Sequence, residues 1–259
     1  MKHPSGMPGW VDLSTTDTES ARLFYTKLFG WTAVDLPTPV GVPYTQFMKG
    51  GKLVAGMAQQ PPDMAAAGVP SMWNTYVLVE SADYVVSVAE QSGGSTVMPA
   101  MDVMTAGRMA MLADPSGAVI GVWQPRAHEG AELFNEPGSL TWNELQSRDL
   151  EAARPFYSKV FGWRWEDGGD GYQVAHLDAK GGGDTSVAGA MTMPPMAPAE
   201  APSCWMVYFA VEDLSATIEA ATGDGATVFL PPMEISVGKF AGLIDPTGAM
   251  FMTFQSSSG

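Results

Sequence analysis

Apolar and polar positions divide the chain into a short series of elements that is then read a second time. Residues 10–14 alternate with period two, which predicts a strand. Thr16-Asp17-Thr18-Glu19 supplies a helix start, apolar spacing carries the helix through Phe24 to Leu28, and Gly30 stops it. Strand-like runs follow at 44–49 and 53–58, and then a proline-rich loop. A strand is predicted over 74–79, a helix over 82–91, and two strands at 108–113 and 118–123. The turn Asp114-Pro115-Ser116-Gly117 joins that last pair.

The second reading keeps a fixed register. The segment from Arg22 to Trp31 (RLFYTKLFGW) returns from Arg154 to Trp163 (RPFYSKVFGW), an offset of 132 with seven of ten positions identical. The same offset carries Trp10 to Trp142, Asp17 to Asp149, Trp73 to Trp205 and Tyr76 to Tyr208. Asp114 to Gly117 returns as Asp245-Pro246-Thr247-Gly248 at offset 131. The chain is therefore a tandem duplication. Copy one is expected over 1–125, a linker over 126–138 and copy two over 139–259, each an α+β domain of two βαβββ units.

Composition narrows the partners. Acidic residues outnumber basic ones 28 to 13, a net charge of −15 over 259 residues. Nucleic acid and anionic membrane surfaces both need a basic footprint, so neither is an expected partner. Cys204 is the single cysteine, which rules out an intramolecular disulfide and a cysteine metal cluster. It reads as a buried small hydrophobe more readily than as a reactive thiol. The first residues lack the apolar core of a signal peptide, and no apolar run reaches the roughly 18 residues of a membrane span. A cytoplasmic monomer or homodimer is expected. Gly168-Gly169 and Gly181-Gly182-Gly183-Asp184 read as turns, not phosphate cradles, because neither lies between a strand and a helix.

Asp17, Phe24-Tyr25, Gly30 and the Asp-Pro-x-Gly turn, each repeated in copy two, resemble the signature of the glyoxalase/bleomycin-resistance/extradiol-dioxygenase superfamily, the vicinal oxygen chelate fold. The likeness spans nearly the whole chain. More narrowly, it is to two-copy glyoxalase-like proteins found with antibiotic pathways. It implies that the four βαβββ units form two half-open barrels with concave clefts.

Metal-dependent relatives place a His or Gln on the first strand of a unit and a Glu on its last strand. The matching positions here are Trp10, Asn74 and Gly121 in copy one, and Trp142, Met206 and Met252 in copy two. Indole, thioether and glycine offer no donor for such an ion. The three histidines do not compensate: His3 lies in a tail, His128 in the linker, and His176 alone on a strand-like run. No metal and no other cofactor is expected.

Strand parity instead points Trp10, Asp12, Asn74, Tyr76, Gly121 and Trp123 into one cleft, with Gly121 leaving space. Trp142, Glu144, Met206, Tyr208 and Met252 point into the other. Ligand-binding residues are therefore expected at Trp10, Asn74, Tyr76, Trp123, Trp142, Met206, Tyr208 and Met252. Such walls suit a flat hydrophobic molecule, although tryptophan and methionine on strands are more often simple core. Asp12 and Glu144 are the catalytic candidates, because a carboxylate on an apolar strand costs several kcal/mol unless paired or wet. Tyr76 and Tyr208 are candidate donors to them, and pairing with Arg108, Lys239 or a tyrosine is the structural alternative.

Three functions compete. The first is metal-independent binding, with or without transformation, of an aromatic or polyketide-like molecule, in tailoring or self-resistance. The others are a glyoxalase-type lyase acting on α-oxoaldehydes, and sequestration without turnover. As an enzyme, the chain would be a metal-independent lyase, an isomerase or a hydroxylase accessory.

Overall fold

The computed structural model describes residues 3–178, 185–195 and 197–257; the glycine turn at 181–184 lies outside them. Copy one runs β1 (Pro8–Thr15), α1 (Thr18–Phe29), β2 (Thr32–Leu36), β3 (Tyr44–Lys49), β4 (Lys52–Gln59), α2 (Pro62–Ala66), β5 (Met72–Leu78), α3 (Ala82–Gln91), β6 (Ser95–Val103), β7 (Gly107–Ala113) and β8 (Val119–Pro125). Copy two runs β9 (Leu140–Ser147), α4 (Leu150–Phe161), β10 (Arg164–Gly169), β11 (Tyr172–His176), β12 (Ser186–Thr192), β13 (Cys204–Ala210), α5 (Leu214–Gly223), β14 (Thr227–Ile235), β15 (Gly238–Ile244) and β16 (Met250–Ser256). Each copy forms one eight-stranded mixed sheet, in the order β2-β3-β4-β1-β5-β8-β7-β6 and β10-β11-β12-β9-β13-β16-β15-β14. Each sheet ends in two edge strands, so neither closes into a barrel.

The elements missed from sequence are those with weak local signals. β2 is short and largely exposed. β6 contains Pro99 and loses register twice against β7, so it shows no clean alternation. The proline-rich loop holds the single turn of α2. No helix among the described residues is long and apolar enough to cross a membrane.

By contact, the chain forms two compact units that cut across the copies. The first takes 1–10, 75–130 and 142–206, and the second takes 11–74, 131–141 and 207–259. Each has its own hydrophobic cluster. The predicted linker is built into them: Ala131 and Leu133 are buried, and Glu132 accepts from the Leu53 amide at 2.9 Å.

The residues of the recurring motif have structural duties. Asp17 and Asp149 cap α1 and α4 by accepting from Ser20 and Ala152 amides, each at 3.0 Å. Gly30 and Gly162 close those helices at φ 67° and 75°, a conformation costly for residues with a Cβ. In the second unit, Trp73 Nε1 donates to Tyr25 Oη at 2.9 Å, and Tyr25 donates to Asp245 at 2.8 Å. In the first unit, Trp205 donates to Tyr157 at 2.9 Å, and Tyr157 to Asp114 at 2.9 Å. Each tyrosine thus binds the turn aspartate of the other copy. The second oxygen of each aspartate holds its own Asp-Pro-x-Gly turn through backbone amides. Burial, and then the aspartate charge, hold both phenols well above their usual range, so both stay protonated donors.

Candidate functional site

Parity sorts the strand residues of each unit into two faces. In the first unit, Val77, Ala110, Leu112, Val122 and Leu145 join the core, which turns Tyr76, Met109, Met111, Gly121, Trp123 and Glu144 away from it. In the second unit, Val11, Leu13, Phe209 and Phe251 are core, and Asp12, Tyr208 and Met252 turn away.

Glu144 centres the polar cluster of the first unit. The residue is 5% exposed, and its carboxylate accepts from Gln146 Nε2 at 3.0 Å and from the Tyr172 phenol. Tyr172 Oη accepts from Trp142 Nε1 at 2.8 Å, so the phenol proton is directed at Glu144. Burial first, then the charge of Glu144, hold that phenol above its usual range. Gly189, the register partner of Glu144, makes room for it. A Cβ at Gly189 would stand 1.8 Å from Tyr172 Oη. The same two causes, burial and the Glu144 charge, push the Cys204 thiol up to about 11. It is a buried-type thiol, not an activated one. Met206 is buried on the same strand.

Asp12 centres the matching cluster of the second unit and is 9% exposed. It accepts from Asn74 Nδ2 at 3.0 Å and from Tyr44 Oη at 3.3 Å. Both carboxylates therefore take one carboxamide and one phenol, delivered from different places. In copy one the amide comes from β5. In copy two that position is Met206, and the amide comes instead from Gln146, two residues along from Glu144.

The remaining predicted residues form the apolar part of each unit. In the first, Trp10 meets the His128 ring edge-on with centroids 4.3 Å apart, and Trp123 meets it at 5.5 Å. Trp123 Nε1 also donates to His128 O at 2.9 Å. His128 is thus part of an aromatic cluster and not a bare linker residue. Gly121 leaves no space, contrary to expectation, because the Tyr76 ring fills it; a Cβ there would be 2.3 Å from Tyr76 Cδ1. In the second unit, Tyr208 pairs across strands with Met252, and its ring lies 6.3 Å from Phe240.

The donor set does not fit a divalent metal. The ligand positions hold two indoles, two thioethers, a glycine and Asn74, a lone carboxamide whose Nδ2 donates to Asp12. Among the described residues, no three His, Cys, Asp or Glu are grouped to hold an ion.

Two surface grooves lie elsewhere. One, of about 430 Å³, is lined by Arg148, Asp149, Glu151, Arg154 and Gln173 in the first unit. The other, of about 310 Å³, is lined by Lys49, Val211, Glu212 and Asp213 in the second. Neither includes a sequence-predicted site residue. Each mixes cations with carboxylates, and neither matches the aromatic chemistry of the β-sheet faces.

Tyr44 and Tyr172 were missed as carboxylate partners because their spacing, 128 residues, falls out of the 132 register. The structural alternatives divide: Arg108 pairs with Asp83 and Asp102, and Lys239 with Glu234. Tyrosines are the groups that reach the two carboxylates.

A family model described as the Glyoxalase/Bleomycin resistance protein/Dioxygenase superfamily matches residues 8–122 and again 139–253. The chain is 43% identical over 260 residues to CFP32 of Mycobacterium tuberculosis, which carries a provisional glyoxylase name; the match covers 98% of this chain and 96% of that one. It is 38% identical over 267 residues to the anthracycline biosynthesis protein DnrV of Streptomyces peucetius, covering 98% and 94%. A Mn(II)-bound glyoxalase from Novosphingobium aromaticivorans shares the fold with a TM-score of 0.67 at 14% identity, covering 97% of this chain and 83% of that one.

Proposed function

Because the chain belongs to the Glyoxalase/Bleomycin resistance protein/Dioxygenase superfamily, a fold that hosts unrelated chemistries, we propose from its own side chains that it binds a hydrophobic aromatic or polyketide-like molecule without a divalent metal. One observation carries this reading: indoles and thioethers occupy four of the family's six ligand positions, and one buried carboxylate of each copy, Asp12 or Glu144, lies on the same strand face as Trp10 or Trp142. Flat polarisable walls favour a planar ligand, and a carboxylate with fixed donors orients one polar group on it. The likeness to an anthracycline biosynthesis protein supports a role in tailoring or self-resistance.

The glyoxylase name of CFP32 favours a lyase acting on α-oxoaldehydes. That chemistry stabilises an enediolate with a metal, and the ligand positions supply Asn74 as their single oxygen donor, a poor anchor alone. Sequestration differs from tailoring only in turnover, with Glu144 and Asp12 as the groups that would exchange a proton with ligand.

Tryptophan emission followed during titration with an anthraquinone tests the reading. Saturable quenching is expected, reduced in both Trp10→Ala and Trp142→Ala. No quenching by any aromatic probe, or one tightly bound metal per copy with activity lost on chelation, would overturn it. If turnover is found, Glu144→Gln is expected to lower it more than Asp12→Asn, with binding kept in both.

A further inference from the structure

The β5–β8 half of copy one carries a second set of side chains that the aromatic-ligand reading has not used. Register places them in two rows on the face away from the core. Tyr76 is opposite Gly121, Gly121 opposite Met111, and Met111 opposite Met98. Leu78 is opposite Trp123, Trp123 opposite Met109, and Met109 opposite Met101. Directly opposed residues share a face, so four thioethers form a two-by-two patch beyond the Tyr76 and Trp123 rings. The patch opens toward solvent at β6, where Met98 is 37% and Met101 48% exposed, while Met111 of β7 is buried.

The corresponding rows of copy two are built differently. Tyr208 leads through Met252 and Gly242 to Leu230, and Ala210 through Phe254 and Phe240 to Met233. The Phe229 ring covers Gly242, where a Cβ would meet it at 2.4 Å. Phe240 stands where copy one has Met109, the Phe229 ring covers the place of Met111, Leu230 takes that of Met98, and Met233 keeps the thioether of Met101.

Methionine has three rotatable bonds and a polarisable sulfur, so a methionine surface reshapes itself around its ligand, whereas a phenylalanine surface presents one shape. We propose that Met98, Met101, Met109 and Met111 form an adaptable seat for flat aromatic molecules of differing ring number, and that the copy-two rows, where Phe229 and Phe240 replace two of the four thioether places, accept a narrower range. This rests on the aromatic-ligand reading and adds where the ligand sits and how selective each copy is. A second polypeptide strand is a poor occupant of this edge. Pro99 lacks an N–H to pair, and β6 breaks register twice.

The test labels the full chain with [13C-methyl]methionine and adds, separately, 2-naphthol, an anthraquinone and a tetracyclic anthracyclinone while recording methyl spectra and tryptophan quenching. All three probes are expected to shift the Met98, Met101, Met109 and Met111 signals, assigned by single Met→Leu variants. Met98→Lys and Met101→Lys, at half-exposed positions that fold readily, are expected to weaken each probe about tenfold at this seat. Phe240→Leu is expected to leave those shifts in place. Saturable quenching with the four methionine signals unmoved would overturn the seat and leave the aromatic-ligand reading standing. No quenching and no shift with any probe would overturn both.

Discussion

The buried hydrogen-bonded chains of the two units are near copies, whereas the faces turned away from the two cores are not. Trp73-Tyr25-Asp245 and Trp205-Tyr157-Asp114 agree in donor order and within 0.1 Å in the tyrosine–aspartate distance, 2.8 against 2.9 Å. Away from the cores, Asp12 answers to Glu144, Asn74 to Met206, and Met109 and Met111 of β7 to Phe240 and Gly242 of β15. The duplication has kept the part that holds the fold and changed the side chains on the faces turned away from the cores. The family signature therefore reports architecture: its aspartates cap helices or hold turns, its glycine ends a helix, and its tyrosine ties one copy to the other.

The buried chains offer the largest effect. Tyr25→Phe removes the donor to a buried carboxylate and the acceptor of a buried indole, at a cost of about 3 kcal/mol. Tyr157→Phe is expected to cost the same within a factor of two, and each to lower Tm by about 6–12 °C. Thermal melts of both variants check this. A large loss in one and none in the other would break the equivalence of the two units.

Cys204 sharpens the difference between copies, because copy one holds Met72 at that position. With its pKa pushed to about 11 by burial and the Glu144 charge, the thiol should react with iodoacetamide at pH 8 about a hundredfold more slowly than a thiol at its ordinary value. Glu144→Gln removes the charge and leaves the burial, so it should recover part of that factor. Alkylation at the free-thiol rate would mean that Cys204 is not buried, and an unchanged rate in Glu144→Gln would mean that its charge does not reach the thiol.

Alkaline pH tests both buried chains together. The folded-state pKa of Tyr25 and Tyr157 lies above the unfolded value of 10.0. The native state therefore holds more protons once pH passes 10, and stability falls as pH rises from there toward the folded value. The loss is about 1.4 kcal/mol per tyrosine for each pH unit. Urea midpoints at pH 9 and pH 11 should draw closer in the Tyr25→Phe/Tyr157→Phe double variant, the part owed to Tyr172 remaining. An unchanged drop in that variant would place the alkaline lability elsewhere.

How much of this was legible in the sequence follows from how local each signal is. A helix cap, a C-terminal glycine and an Asp-Pro-x-Gly turn are each written within five residues, and the 132-residue offset repeats them. Strand parity likewise set Asp12 off the core face, and its neighbours Val11 and Leu13 are core. The partners of Asp12 and Glu144 were not legible, because Tyr44 and Tyr172 reach them across neighbouring strands and their loops differ in length between copies. Gly121 misled for a similar reason: a glycine on a strand reads as room until the ring that fills it is seen. β6 was hidden by Pro99 and by its bulges, so the methionines it carries went unread.

The smallest expected effect asks whether the two carboxylate clusters are one device built twice. Asn74 donates to Asp12 in copy one, and Gln146 donates to Glu144 in copy two. The 132 offset equates Asn74 with Met206, Ser14 with Gln146, and Asp12 with Glu144. Asn74→Met should therefore remove the amide from Asp12 and cost about 1 kcal/mol, the usual worth of one such bond. Adding Ser14→Gln supplies an amide from the copy-two position, and Asp12→Glu gives the carboxylate the extra methylene that lets the two meet. If the clusters are equivalent, the triple variant regains most of the stability lost by Asn74→Met, read as the urea midpoint at constant m-value. If the triple variant is no better than Asn74→Met alone, the two clusters are not interchangeable. The amide at Asp12 would then depend on the geometry of β5 and not on its chemistry alone.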